Sequence, residues 1–350
     1  FKTGQDYPVY LRAKAAADGS QGQDEEVLLD VNALAKDKDY YGIGAYEVSQ
    51  DNRLLAYAED LNGRRQYTIR IRNLETGELY PDSIPGTSAD LVWADDNKSL
   101  FYIENDPETL LSTRVKKHVL GTPVADDVLV YEEQDDTFYM GIERTRDDRY
   151  ICIVLDSTVS NEMRCAPAAD PRDFAVFAPR ERDVEYDADH YDGRWVIRTN
   201  APDADGARAT NFKLMTAPSD ATSRAQWREW VPHRDDVYID DYELFDGFTA
   251  IAERSQGLER LRLLKAGADP AAASEYVKAD ESAYSMGFAT NAEGDTPWLR
   301  YTYTSLTTPA TTYELNVETG ERRNPQAAAG DRLRPGEIRD RTGVGHRARR

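Results

Sequence analysis

Cysteine is almost missing from this chain, which has two, Cys152 and Cys165, among 350 residues. Two cannot cross-link a chain of this length into a disulfide scaffold, and so low a number fits a reducing cytoplasm, the expected location. Histidine is nearly as scarce. His118, His190, His233 and His346 are the only four, and no two have the spacing of ligands on one element, so no metal or other cofactor is expected. His190, among Asp187, Asp189 and Asp192, is expected at the surface. Lysine numbers 10 against 33 arginines, and 64 acidic residues leave a net charge of −21. That balance argues against nucleic acid, whose phosphates demand clustered cations on one face. No run approaches the roughly 18 apolar residues of a spanning helix, so no membrane partner is expected. Helical patterning is confined to residues 31–36 and 271–277, too short to build a helical layer.

What is present is a repeat. Asp51-Asn52-Arg53-Leu54-Leu55-Ala56-Tyr57 returns as Asp96-Asn97-Lys98-Ser99-Leu100-Phe101-Tyr102, then more loosely from Asp147, Asp192 and Asp246, at spacings of 45, 51, 45 and 54 residues. Each copy opens with Asp, Asn or Gly, which tolerate the left-handed backbone of a tight hairpin, and runs on into a β-branched or aromatic strand. Residues 66–74 alternate, with Tyr67, Ile69 and Ile71 on one face, and end in Glu75-Thr76-Gly77-Glu78. The same ending, Glu318-Thr319-Gly320-Glu321, closes a strand near the far end. A period of about 45 residues matches four short strands plus their connections. The fold class is therefore all-β: a β-propeller of four-stranded antiparallel blades, seven in number, with six as the alternative.

Several strings then resemble one family. Leu28-Leu29-Asp30-Val31-Asn32-Ala33-Leu34-Ala35, Asp127-Val128-Leu129-Val130-Tyr131-Glu132-Glu133 with Asp136-Thr137-Phe138-Tyr139, Val176-Phe177-Ala178-Pro179-Arg180-Glu181-Arg182-Asp183, Glu253-Arg254-Ser255-Gln256-Gly257-Leu258 and Tyr301-Thr302-Tyr303-Thr304-Ser305-Leu306-Thr307-Thr308-Pro309 resemble the propeller of the prolyl oligopeptidase family, of the oligopeptidase B type. The resemblance is collinear over residues 1–323. It implies a propeller that caps an α/β-hydrolase domain of the same protein and admits only small basic peptides, which that domain cleaves after Lys or Arg. Two departures matter. No Gly-x-Ser-x-Gly elbow occurs, the nearest string being Gly86-Thr87-Ser88-Ala89-Asp90, so the Ser-Asp-His triad is expected to be absent and this chain inactive alone. Residues 324–350 show no periodicity, and residues 321–350 hold nine Arg and no Lys; this tail is expected to be irregular, disordered or frameshifted. The opening at Phe1 likewise reads as a strand entered midway.

Site expectations are accordingly sparse. No catalytic, cofactor-binding or metal-binding residue is assigned. The alternating charges Arg180, Glu181, Arg182 and Asp183 are the candidate surface for the hydrolase domain, against a plain exposed turn. Trp93 and Trp195 fall in or beside repeat strands and are expected in the core. Gly42-Ile43-Gly44-Ala45 begins a dinucleotide pattern and does not finish it, and Gly343-Val344-Gly345-His346 in the tail has no strand before it. Two rival functions are a free-standing binding scaffold and a propeller enzyme of the glycosidase or lactonase kind. The second requires convergent carboxylates or a metal cluster, for which the spacing offers no sign.

Overall fold

The computed structural model describes residues 4–14, 24–203, 206–271 and 275–324. The tail expected to be irregular lies outside the described residues from 325 onward. The chain divides into two compact units, Phe1–Glu181 and Arg182–Arg350.

In the first unit, β1 (Val9–Arg12) pairs with β2 (Glu26–Asp30). A four-residue helix, α1 (Val31–Leu34), follows, with the Asp30 carboxylate accepting the N–H groups of Asn32 and Ala33. Seven strands then form one antiparallel sheet: β3 (Gly42–Val48), β4 (Leu54–Asp60), β5 (Tyr67–Asn73), β6 (Leu79–Trp93), β7 (Ser99–Asn105), β8 (Ser112–Val119) and β9 (Val128–Glu132). This sheet is two four-stranded meanders sharing β6, whose first half pairs with β5 and whose second half pairs with β7. Thr87 is the pivot, facing Tyr67 on one side and Glu104 on the other. A third meander is β10 (Tyr139–Arg144), β11 (Tyr150–Asp156), β12 (Asn161–Pro167) and β13 (Ala175–Ala178).

The second unit repeats the pattern three times. Its meanders are β14 (Tyr186–Tyr191), β15 (Arg194–Thr199), β16 (Lys213–Pro218) and β17 (Arg228–Val231); β18 (Tyr238–Leu244), β19 (Phe248–Ser255), β20 (Leu258–Lys265) and β21 (Glu275–Tyr276); and β22 (Tyr284–Phe288), β23 (Trp298–Ser305), β24 (Thr311–Asn316) and β25 (Arg322–Arg323). Among the described residues there are thus six four-stranded meanders and the two-stranded β1–β2 sheet. The helix expected over 271–277 is partly replaced by β21, which takes the edge position beside β20; residues 272–274 lie outside the described residues.

The repeated Asp-led strings are the turns between the first and second strands. Asn52, Asn97 and Asp148 sit at φ 62°, 53° and 59°, and the preceding aspartates accept the N–H of Arg53, Lys98 and Arg149. The side chain of the turn residue thus supplies the hydrogen bond that fixes the tight reversal. The two Glu-Thr-Gly-Glu strings close the third and fourth strands in the same way. Asn73 and Asn316 each accept two turn N–H groups, and Gly77 and Gly320 take φ 74° and 75°. The sixth meander has residues 289–297 in place of a tight first turn, which is why the sequence repeat showed five copies.

The second strands of the first two meanders are buried on both faces. Leu54 to Ala58 and Ser99 to Ile103 are all buried, so these strands read as continuous apolar runs instead of alternating ones. The cores lie between consecutive meanders: one joins β4, β5, β6 and β7 around Trp93, and the next joins β6, β7 and β8 to β10 and β11. Hydrogen bonds at the repeat period tie neighbours together. The Trp93 indole donates to the Glu47 carbonyl at 3.1 Å, Asp51 N–H to Asn97 Oδ1 at 2.9 Å, and Arg144 Nη1 to the Trp93 carbonyl at 2.8 Å. In the second unit the Tyr242 hydroxyl donates to the Val196 carbonyl at 2.8 Å. Trp93 and Trp195 are both in the core, as expected. Gly44 serves packing: a Cβ there would come within 2.5 Å of the Tyr67 ring.

Candidate functional site

The four charged residues named as a candidate domain surface fall in different local settings. Arg180 turns inward, its Nη2 donating to Glu133 at 2.6 Å, its Nε lying 3.5 Å from Glu162 and its guanidinium stacking 3.9 Å over the Phe138 ring. Arg182 and Asp183 are exposed and 3.9 Å apart, and Asp183 has φ 63°. Glu181 is exposed. A guanidinium fixed by two carboxylates and a ring is a structural clamp, whereas the 182–183 pair is a solvated turn.

Beside that clamp is a cleft of about 560 Å³. Three segments make it: the hairpin at 106–111, the β6 kink at Pro85 and Gly86, and the 133–138 connection. Asp106 holds the hairpin by accepting N–H groups from Glu108 and Thr109, and Glu133 holds the connection by accepting those of Gln134 and Asp135. Burial raises the Glu133 carboxyl, but Arg180, the Asp135 N–H and the Tyr131 hydroxyl outweigh it and leave it at about 2. Arg114 is spent on Glu132 at 2.7 Å and Glu104 at 3.2 Å. In chemical terms this is an anionic wall, suited to groups that donate hydrogen bonds or carry positive charge.

Two of the histidines, His118 and His190, are buried in structural settings. His118 is fully buried, with Nδ1 at 2.7 Å from Asp127 and Nε2 at 2.8 Å from Asp82. Tyr102 donates to the second oxygen of Asp127 and Gly121 N–H to Asp82. Burial, then the Asp127 bond, pushes the Tyr102 hydroxyl well above its ordinary value. Both ring nitrogens are occupied by carboxylates, so this imidazole has none to offer a nucleophile. Its partners stand 36 and 9 residues away in sequence, a separation that left no motif to find.

His190 corrects an expectation: it is fully buried, edge-on to Trp195 at 5.0 Å, because the strand alternation of β14 turns it into the sheet's covered face. Its Nε2 meets Ser219 Oγ at 2.7 Å, the arrangement of a Ser–His pair. Ser219, however, donates its own hydrogen to the Gly193 carbonyl at 2.7 Å, so the imidazole must be the donor. The serine is therefore not activated. Ser88, in the string nearest to a nucleophile elbow, bonds Asp90. Among the described residues no group of three or more His, Cys, Asp or Glu is placed to hold a metal.

In the second unit a cavity of about 330 Å³ lies between β18–β20 and β22–β23, lined by Asp240, Asp241, Glu253 and Glu259 with Arg260. Beneath it, Glu253 and Arg262 form a buried pair. Nearby, Glu281 accepts hydroxyl hydrogen bonds from Tyr303, Ser305, Thr307 and Thr308, fixing residues 303–308 around one carboxylate.

Comparison with known proteins places this architecture. Residues 1–327 match the family described as prolyl oligopeptidase, N-terminal β-propeller domain. Dipeptidyl aminopeptidase BI from Pseudoxanthomonas mexicana is 62% identical over 334 residues, 92% of this chain and 45% of the relative. Protease 2 from Moraxella lacunata is 31% identical, again over 92% of this chain and 45% of its own. Oligopeptidase B from Leishmania major superposes with a TM-score of 0.82 at 27% identity, over 92% of this chain and 46% of that structure. The chain spans about half the length of the relatives it matches.

Proposed function

The chain belongs to the prolyl oligopeptidase family as its N-terminal β-propeller domain, and on that premise we propose that it is the gating domain of a serine peptidase, admitting short peptides to a catalytic domain of the same protein and turning folded proteins away. The observation that carries this is the family match that runs unbroken through all six meanders. The likeness to oligopeptidase B supports substrates bearing Lys or Arg, and so does the charge of −21, which raises the local concentration of cationic peptides. The acidic cleft at residues 104–106 and 132–136 offers such peptides a first contact.

A second account of the cleavage point has its own support. The relative at 62% identity is named a dipeptidyl aminopeptidase, which favours release of dipeptides from a free amino terminus over internal cleavage.

The full-length protein tests these points with chromogenic peptides that carry Arg, Lys or Leu at the scissile position and a free or blocked amino terminus. Alongside them goes the same Arg sequence placed in a loop of a folded protein. Arg and Lys peptides should be favoured by about tenfold or more, and the folded carrier should survive. Equal cutting of the folded carrier would remove the gating role, and equal cutting after Leu would remove the basic-substrate class. Loss of activity on every blocked peptide would select the aminopeptidase account.

A further inference from the structure

The two cysteines are joined. Cys152 and Cys165 face each other directly on β11 and β12, with Cα atoms 4.1 Å apart, and form a disulfide. That bond lies in a row running across the third meander, Glu143 on β10, Cys152, Cys165 and Ala175 on β13. On the other face of β11, Ile151, Ile153 and Leu155 are packed in a hydrophobic cluster. The two sulfurs differ in access. Cys152 is fully buried, whereas Cys165 is partly exposed and its neighbour in the row on the edge strand, Ala175, is an exposed methyl group.

We propose that Cys152–Cys165 is a thiol–disulfide modification site, closed in the working protein by an oxidising compartment and opened by dithiol reductants through the Cys165 sulfur alone. Exchange proceeds by attack of a thiolate along the S–S axis. Cys165, partly exposed beside the exposed Ala175 of the edge strand, is open to that approach, whereas Cys152 has no exposed surface to offer. The first thiolate of the reductant bonds to Cys165, the S–S bond breaks, and its electron pair leaves on Cys152. The second thiol of the reductant then attacks the mixed disulfide and releases Cys165, so two electrons and two protons pass to the protein and the reductant leaves as its own disulfide. The leaving thiolate on Cys152 is fully buried, which opposes its charge and favours the closed bond. A chain whose only two thiols are paired in this way is suited to a compartment where disulfides persist. None of this depends on the peptidase assignment.

Three measurements test the proposal on the full-length protein. Cells of its source organism are lysed into denaturant with excess alkylating agent, and the intact mass is read without prior reduction. No added alkyl group is expected at Cys152 and Cys165, and two added groups would overturn the oxidising assignment. Thermal unfolding is followed with and without a dithiol for the wild type and for Cys152→Ala/Cys165→Ala. The wild type should drop by roughly 5–10 °C on reduction and the double variant should not respond; equal responses would refute a role for this bond. Last, Cys152→Ala and Cys165→Ala are treated natively with a bulky maleimide. The free Cys165 should react about tenfold or more faster than the free Cys152, and equal rates would remove the one-sided opening.

Discussion

Replacing Arg262 with Met should be among the most damaging single changes in the second unit. Arg262 and Glu253 retain 4% and 2% side-chain exposure, with Nη1 3.3 Å from Oε1. Arg262 also donates through Nη2 to the Pro270 carbonyl, while its Nε has no partner. Without the guanidinium, Glu253 keeps one strong donor, the Tyr276 hydroxyl at 2.8 Å, for a carboxylate with almost no exposed surface. Removing one member of a buried ion pair costs about 3–5 kcal/mol, because the other charge is stranded. In a domain of this size that is a fall in Tm of roughly 6–15 °C. Arg262→Met combined with Glu253→Leu removes both charges, so most of the loss should return, leaving about 1–2 kcal/mol for the unpaired Tyr276 hydroxyl. Urea and thermal unfolding of the two single variants and the double variant close the cycle. A single-variant cost below about 1 kcal/mol, or a double variant as bad as the sum of the singles, would refute the reasoning. The cavity above Glu253 would then be supplying water to the stranded carboxylate.

Acid should weaken the fold through two carboxylates. Burial raises Glu281, but the hydroxyls of Tyr303, Thr308, Thr307 and Ser305 outweigh it and hold it at about 2, below its ordinary 4.5. A depressed folded-state value means its stabilisation is complete above pH 4.5 and is lost as pH falls toward 2, with Glu133 behaving alike. Glu281→Gln should therefore flatten the acid limb of a Tm-against-pH curve, and an unchanged slope would count against the hydroxyl cup. Gly44→Ala places a methyl against the Tyr67 ring at 2.5 Å and the Ala89 methyl at 2.8 Å. It should cost about 1–3 kcal/mol in chemical denaturation, with much of the loss returned by adding Tyr67→Leu.

Much of the strand layout was readable because turns and strands are local. The left-handed residues at 52, 97 and 148 and the Asn-held turns after 73 and 316 follow from side chains within a few positions of the backbone they fix. The repeat showed five of the six meanders found among the described residues, and the sixth lacks the tight first turn that made the others visible. Arg180 could be singled out but not placed, since its partners Glu133 and Phe138 lie more than 40 residues earlier.

The sequence by itself determined an all-β chain with a period near four short strands, and its long collinear strings placed that chain in its family, because periodicity and turn chemistry are written in neighbouring residues. Tertiary structure alone decided which distant groups meet. It set His118 between Asp82 and Asp127, turned Ser219 toward Gly193 and away from a role as nucleophile, and brought two isolated cysteines into register on adjacent strands. Those pairings depend on strand register and on how one meander stacks upon the next, and neither is fixed until the sheets have formed.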